Sequence, residues 1–223
     1  MCDTVSFDAV KRALEANGLL LRGGFHPEPD DGVPAAAATL LLVGNAGRAM
    51  WRRFSALPGR GRDPLNEWTR EVLSDVAMRF GGTAIFPFEG PPYAPFHAWA
   101  KRAEPVHDSP IGMLIHPDYG LWHAWRGALA FTTRLDLPPR REAPSPCESC
   151  ASRPCLSACP VGAFRDGTYD VPVCSGHLRT PEGVDCMDEG CRARRACPVG
   201  KDYVYQPAQA AFHMAAFLRN RPS

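Results

Sequence analysis

The sequence lacks the features of an exported or membrane-spanning chain. Its longest apolar run, residues 35–43, is nine residues long and contains Thr39, whereas a transmembrane helix needs about 20 apolar residues. The first segment, residues 1–15, is interrupted by charged side chains such as Asp8 and Lys11, so it has no continuous apolar core like that of a secretion signal. We therefore expect a cytoplasmic protein with no membrane partner.

The sequence also lacks an excess of either charge. Its 223 residues include 25 Lys and Arg against 24 Asp and Glu, a formal net charge of +1. No overall field attracts nucleic acid or an anionic membrane, so charge alone predicts that nucleic acid is not a partner. The length allows one core of about 100–150 residues and a smaller module. Two domains are therefore expected.

Helical and strand patterns alternate in the first part of the chain. A helical stripe predicts a helix at 6–16, and Asp63-Pro64 predicts the start of another that stops at Gly81. Strand patterns follow at 19–21, 39–43, 83–86, 111–115 and 122–131, and a closing helix is predicted at 206–219. The proline-rich stretch 137–146 marks a boundary, so we predict an α+β sandwich at 1–137 and a second domain at 138–223.

Cysteines are crowded into the second domain. Eight of the nine lie between Cys147 and Cys197, and in a reducing cytoplasm such crowding indicates metal ligands rather than disulfides. The first run reads Cys-x2-Cys-x4-Cys-x3-Cys-Pro and the second reads Cys-x4-Cys-x5-Cys-Pro, with Cys174 between them. Two-cluster bacterial ferredoxins use runs of this kind, in which the cysteine before proline ligates the other cluster. Two 4Fe–4S clusters are therefore predicted.

The ferredoxin pattern distributes the cysteines between the two clusters. Cluster one takes Cys147, Cys150, Cys155 and Cys197, and cluster two takes Cys159, Cys174, Cys186 and Cys191. The x4 spacing stands where the ferredoxin run has x2, so the number of clusters is better defined than the individual ligands. Two structural zinc ions, or disulfides, are the alternative interpretations.

Residues 112–127 read as a strand, a turn and a second strand. The turn is His116-Pro117-Asp118-Tyr119-Gly120, and Arg126 lies inside the apolar run that follows. A buried arginine needs an anionic or carbonyl partner. Arg126 therefore marks either a ligand site or a structural ion pair.

Two known families resemble parts of this chain. The cysteine region, with PCESC, CLSACPVGAF, Cys174 and the second Cys-Pro run, resembles the ferredoxin-like module of epoxyqueuosine reductases over about residues 146–200. The pattern I-H-P-x-x-G-x-W-x-A-x-R-G, residues 115–127, resembles the cobalamin-processing CblC family. Together these resemblances imply a flavin-reductase (nitroreductase)-like α/β sandwich that binds base-off cobalamin, followed by a small ferredoxin-like domain. Flavin is the alternative cofactor.

The resemblances also imply roles for individual residues. The corrinoid-binding set is Gly112, His116, Pro117, Tyr119, Gly120, Trp122 and Arg126. His116 is also a candidate cobalt ligand or proton donor, with packing beside the site as the alternative. Glu89 falls where epoxyqueuosine reductases carry a general-acid Asp, with a plain surface carboxylate as the alternative.

These features predict a corrinoid-binding iron-sulfur reductase that delivers low-potential electrons to base-off cobalt. Removal of an upper cyano or alkyl ligand is left open, and the electron donor is expected to be a flavoprotein or a ferredoxin. One alternative is an epoxyqueuosine-type tRNA-modifying reductase, against which stand the neutral charge and Glu89 in place of Asp. The other is a non-catalytic electron-transfer or corrinoid-carrier protein.

Overall fold

The computed structural model describes residues 4–58, 61–165 and 168–221. Its helices are α1 (Phe7–Glu15), α2 (Ala49–Phe54), α3 (Pro64–Phe80), α4 (Phe96–Ala103), α5 (Pro154–Ser157), α6 (Val171–Leu178), α7 (Val184–Glu189), α8 (Arg192–Ala196) and α9 (Pro207–Arg219). Its strands are β1 (Leu20–Phe25), β2 (Thr39–Ala46), β3 (Thr83–Ile85), β4 (His107–Asp108), β5 (Leu114–Ile115), β6 (His123–Phe131), β7 (Phe164–Arg165) and β8 (Thr168–Tyr169). Within the described residues, no helix is long and apolar enough to cross a membrane.

The chain divides into two compact units. The first unit comprises Met1–Pro105 and His123–Ala143, and the second comprises Val106–Trp122 and Pro144–Ser223. Residues 106–122 therefore pack with the cysteine region, although the sequence pattern placed them in the first domain. A functional division of the chain at 137/138 stays a prediction.

A four-stranded antiparallel sheet forms the centre of the first unit, in the order β1-β2-β6-β3. The longest pairing joins β2 to β6, from Thr39 opposite Phe131 to Ala46 opposite His123, with a register shift between Val43 and Gly44. Every residue of β2 is buried, as expected for a strand that is covered on both faces. The sheet and its helices confirm the mixed α+β prediction, whereas likeness to a nitroreductase sandwich stays a prediction.

The ends of the predicted helices follow their local signals. Ser6 precedes α1 and its Oγ accepts a hydrogen bond from the Ala9 amide at 3.2 Å, which satisfies one of the free amides at the helix start. Proline at the first position begins α3, and Gly81 ends it with a φ of 70°, a left-handed conformation that favours glycine. Helix α4 was not predicted, because its short apolar pattern lies next to a proline-rich loop.

The second unit contains short elements around a small core. Two-residue strands form the hairpins β4-β5 and β7-β8. The core consists of Ile111, Ile115, Leu121, Cys155, Phe164, Ala193 and Cys197. The strand predicted at 111–115 is confined to Leu114–Ile115, because Gly112 has a φ of 75° and its amide donates to the Ser109 carbonyl in a turn.

Candidate iron-sulfur site

All eight cysteines between Cys147 and Cys197 belong to the second unit, and they are free thiols. Short helices position several of them: Cys155 lies in α5, Cys174 in α6 and Cys186 in α7. Cys191 immediately precedes α8, and Cys197 immediately follows it. A five-residue helix thus separates the last two cysteines of the chain.

Four of these cysteines form what we term the first thiol group: Cys147, Cys150, Cys155 and Cys197. Burial raises the pKa of the Cys147 thiol, and the neighbouring Cys197, Cys155 and Cys150 raise it further. Burial likewise raises the pKa of Cys155, and the neighbouring Cys197 and Cys150 raise it further. These are the cysteines that the ferredoxin pattern assigns to cluster one.

The remaining four form the second thiol group: Cys159, Cys174, Cys186 and Cys191. Burial raises the pKa of the Cys174 thiol, with Cys159 and Cys186 as neighbours that raise it further. Burial also raises the pKa of Cys191, whose neighbours are Cys186 and Cys174. No cysteine of the first thiol group is among these neighbours. The second thiol group consists of the same cysteines that the ferredoxin pattern assigns to cluster two.

The second thiol group lines a cavity of about 320 Å³, within the size range of cofactor pockets. Its other walls are mostly apolar and include Met113, Val161, Phe164, Leu178, Met214 and Phe217. Tyr169 and His177 also line it. Four thiols that face one apolar cavity fit a cofactor held by soft sulfur ligands, such as an iron-sulfur cluster.

The match between these cysteines and two iron-sulfur clusters depends on their division into the two thiol groups and on the cavity that the second group lines. In the described part of the chain, no group of three or more His, Cys, Asp and Glu side chains is placed to hold a metal ion. The assignment of each cysteine as a ligand therefore stays a prediction.

The turn predicted to face a corrinoid is held together by His116. Its Nδ1 accepts hydrogen bonds from the amides of Asp118, at 3.0 Å, and Tyr119, at 3.3 Å. An accepting Nδ1 carries no proton, so the ring proton of this buried histidine lies on Nε2. The Tyr119 ring stacks on the imidazole at 4.3 Å, and the backbone of His116 bonds that of Gly120 in both directions at 2.9 Å.

Two glycines bring this turn against the chain that follows Cys197. Gly120 has a φ of 57°, and a Cβ added to it would lie 2.1 Å from the Val199 carbonyl oxygen. Gly200 has a φ of 74°, and its added Cβ would lie 2.3 Å from the Tyr119 carbonyl carbon. Both positions require glycine for backbone conformation and for close approach.

Trp122 packs in the same unit against residues that the sequence pattern did not single out. The Arg194 guanidinium lies 4.5 Å from the ring centres of both Trp122 and Tyr205. Its Nε also donates to the Leu121 carbonyl at 2.9 Å. The arginine-rich sequence of α8 was the available signal, but the spacing of α8 does not indicate which arginine turns inward.

Glu89 and Arg126 belong to the first unit, unlike the other predicted site residues. The Glu89 side chain is about half exposed and accepts two hydrogen bonds from Arg70, at 3.0 and 3.2 Å. Arg126 donates from Nη2 to the Asn66 side-chain oxygen at 2.9 Å. This acceptor is a side-chain amide oxygen, which meets the predicted need for a carbonyl partner.

A buried polar network in the first unit was not predicted. Arg22 and Glu104 are 3% and 6% exposed, and Arg22 Nε donates to Glu104 Oε2 at 3.0 Å. Trp125 Nε1 donates to Glu104 Oε1 at 2.8 Å, and Arg22 Nη2 lies 3.3 Å from His123 Nδ1. Burial raises the pKa of the Glu104 carboxyl, and Arg22 opposes this shift. Arg22 directly follows an apolar triplet, which was the only sequence signal.

The fold is that of epoxyqueuosine reductases. One crystal structure of a selenomethionine-labelled epoxyqueuosine reductase matches with a TM-score of 0.54 and 15% identity, over 92% of this chain and 68% of that one. The enzyme from Streptococcus thermophilus matches with a TM-score of 0.53 and 16% identity, over 91% and 69%. No family model and no curated protein matches the sequence. These structures support the epoxyqueuosine-reductase resemblance, and the CblC resemblance receives no support from them.

Proposed function

We propose that this chain is an iron-sulfur oxidoreductase of the epoxyqueuosine-reductase type. The observation that carries the proposal is the presence of eight free thiols in the second unit, four of which line one cavity of about 320 Å³. The first thiol group would hold one 4Fe–4S cluster and the second thiol group the other. Such clusters supply single electrons at potentials that reach about −700 mV.

The residues around both thiol groups favour cluster binding. Apolar packing by Ile111, Ile115 and Leu121 removes water from around Cys155 and Cys197. The Ala163 amide donates to the Cys159 sulfur at 3.3 Å, and amide donors of this kind stabilise negative charge on cluster sulfur. The cysteine-rich unit therefore supports electron delivery rather than a purely structural role.

The fold likeness changes the order of the substrate hypotheses. It favours the tRNA-modifying alternative over a free corrinoid as the substrate, so a modified tRNA nucleoside of the epoxyqueuosine type becomes the first substrate to test. The expectation that nucleic acid is not a partner was based on net charge alone and is set aside in this proposal.

A corrinoid reductase is the second candidate, and the 116–120 turn favours it. The residues that the CblC resemblance assigns to corrinoid binding are Gly112, His116, Pro117, Tyr119, Gly120, Trp122 and Arg126. Gly120 and Tyr119 pack against Val199 and Gly200, just after Cys197 of the first thiol group. A corrinoid at this turn would accept electrons close to cluster one. Flavin stays the alternative cofactor, and a flavoprotein or ferredoxin the expected electron donor.

Glu89 and His116 are the proposed proton donors. The Glu89 side chain is half exposed, so solvent reaches its carboxyl group, which pairs with Arg70. At His116 the turn amides donate to Nδ1, so this residue could act as an acid only after Nδ1 gives up these hydrogen bonds and takes up a proton. Glu89→Gln is expected to reduce turnover about 10²- to 10⁴-fold, the range for loss of a general acid, at unchanged iron content. A change below twofold would support a surface role instead.

The test begins with anaerobic reconstitution and measurement of iron, sulfide and zinc. About eight irons per chain are expected, falling by about four on Cys155→Ser or Cys174→Ser. Cys2→Ser is the matched control and should leave the iron content unchanged. Zinc uptake at both thiol groups, with no iron-sulfur absorption, would overturn the proposal.

Activity then separates the two substrates. The reduced protein is incubated with a tRNA stem-loop that carries epoxyqueuosine, with and without added cobalamin, and the nucleoside is analysed. Loss of the epoxide oxygen supports the first function. Reduction of hydroxocobalamin with a base-off spectrum, and no reaction of the tRNA, supports the second. Iron-loaded protein that reduces neither would indicate an electron carrier.

A further inference from the structure

Four polar side chains besides the cysteines line the cavity of the second thiol group. Tyr169 and His177 line it together with Cys159, Cys174, Cys186 and Cys191. Arg192 and Arg194 line it as well, but Arg192 Nε donates to the Asp185 carboxylate at 2.6 Å and Arg194 Nε donates to the Leu121 carbonyl at 2.9 Å. Most of the remaining wall is apolar, so Tyr169 and His177 are the candidate hydrogen-bond donors to a cluster in this space. Their surroundings show how each is held.

The Tyr169 ring is fixed by aromatic packing. It stacks on Phe164 with 4.8 Å between ring centres and an interplanar angle of 19°, and it also faces Phe217 at 6.4 Å. From this position its hydroxyl makes a hydrogen bond with the Cys174 side chain. The phenol donates to the sulfur when that sulfur is a thiolate.

His177 reaches the same cavity from α6. It follows Cys174 by three residues, a spacing that places both side chains on one helix face. Its Nε2 is buried and has no hydrogen-bond partner among the described residues. A buried donor without a partner costs free energy, and a cluster sulfur in the cavity would provide the missing acceptor.

We propose that Tyr169 and His177 donate hydrogen bonds to the cluster of the second thiol group and raise its reduction potential above that of the other cluster. This inference rests on the proposed function. The reduced cluster carries one more negative charge than the oxidised cluster, so donors to its sulfur atoms stabilise the reduced form. One electron enters the cluster, and neither residue gives up its proton. The cluster of the second thiol group is therefore reduced first and stores the electron.

The test is an anaerobic redox titration of the full-length, cluster-loaded protein, followed by electron paramagnetic resonance. Cys174→Ser and Cys155→Ser assign each couple to its thiol group. In Tyr169→Phe and His177→Leu, the reduction equilibrium of the second couple should fall about tenfold, or 59 mV for one electron. The first couple should not move. Tyr203→Phe removes a hydroxyl elsewhere in the same unit and should shift neither couple.

Conservative replacement and a measurement on the unmodified protein complete the test. His177→Gln keeps a donor and should restore most of the potential lost in His177→Leu. In the unmodified protein, pulsed resonance in deuterated buffer should detect exchangeable hydrogens coupled to the second cluster, with one lost in Tyr169→Phe. Both clusters present, without this coupling or any selective shift, would overturn the inference and leave the proposed function standing. Absence of the clusters would instead overturn the proposed function.

Discussion

Replacing Glu104 by alanine should strongly destabilise the first unit. The Arg22 side chain is 1% exposed and pairs with Glu104 at 2.9 Å, so the substitution leaves a buried guanidinium without its carboxylate. Breaking a buried pair in this way costs about 3–5 kcal/mol. Trp125 also loses its acceptor, and because the three groups form one network its cost is included in that range rather than added to it.

The assay is hydrogen exchange, measured by mass spectrometry on the cluster-loaded protein. Peptides that cover β1, β2 and β6 report the free energy of opening of the first unit, while iron content verifies the second. Arg70→Met is the matched control, since it breaks an exposed ion pair with a side chain 47% exposed. It should cost no more than about 1 kcal/mol.

The double variant Arg22→Met with Glu104→Leu refines the test. It removes both charges, so its cost should be smaller than the sum of the two single substitutions by about 0.5–3 kcal/mol. If Glu104→Ala weakens protection of these strands no more than Arg70→Met does, the buried pair does not hold the sheet to its neighbours and the reasoning fails.

Three further predictions concern the second unit. Gly120→Ala should destabilise the 116–120 turn and lower iron retention, because its Cβ would lie 2.1 Å from the Val199 oxygen; normal iron content and normal exchange at 114–121 would contradict this. His116→Asn should keep the turn, because the asparagine side-chain oxygen can replace Nδ1 as acceptor. His116→Ala should lower the stability of the turn by about 1–3 kcal/mol, because it leaves amides without a partner. Equal hydrogen-exchange rates in both variants would refute the role of Nδ1 as the acceptor that holds the turn. Burial raises the pKa of Cys147 and Cys155, so cluster assembly must remove protons from neutral thiols. Assembly should therefore become more favourable from pH 7 to 9 at limiting iron. Iron incorporation that stays constant or falls as the pH rises would contradict this prediction.

Local sequence signals predicted several elements because short-range chemistry controls them. Proline at the start and glycine at the end delimited α3, and the run at 39–43 identified the core of β2. The strand predicted at 111–115 was wrong at its start, since a glycine turn at Gly112 interrupts it. The Arg22–Glu104 contact joins residues 82 positions apart, and no local pattern could indicate that pairing.

By itself, the sequence determined that the chain carries eight clustered thiols, an α+β first part and no long apolar segment. Cysteine spacing conveys metal chemistry because closely spaced ligands must meet around one centre. Tertiary structure alone decided that residues 106–122 pack with the cysteine region, that Tyr169 and His177 share a cavity with four thiols, and that Glu89 meets Arg70. These contacts depend on packing between segments distant in the chain, where burial and shape determine which side chains come together.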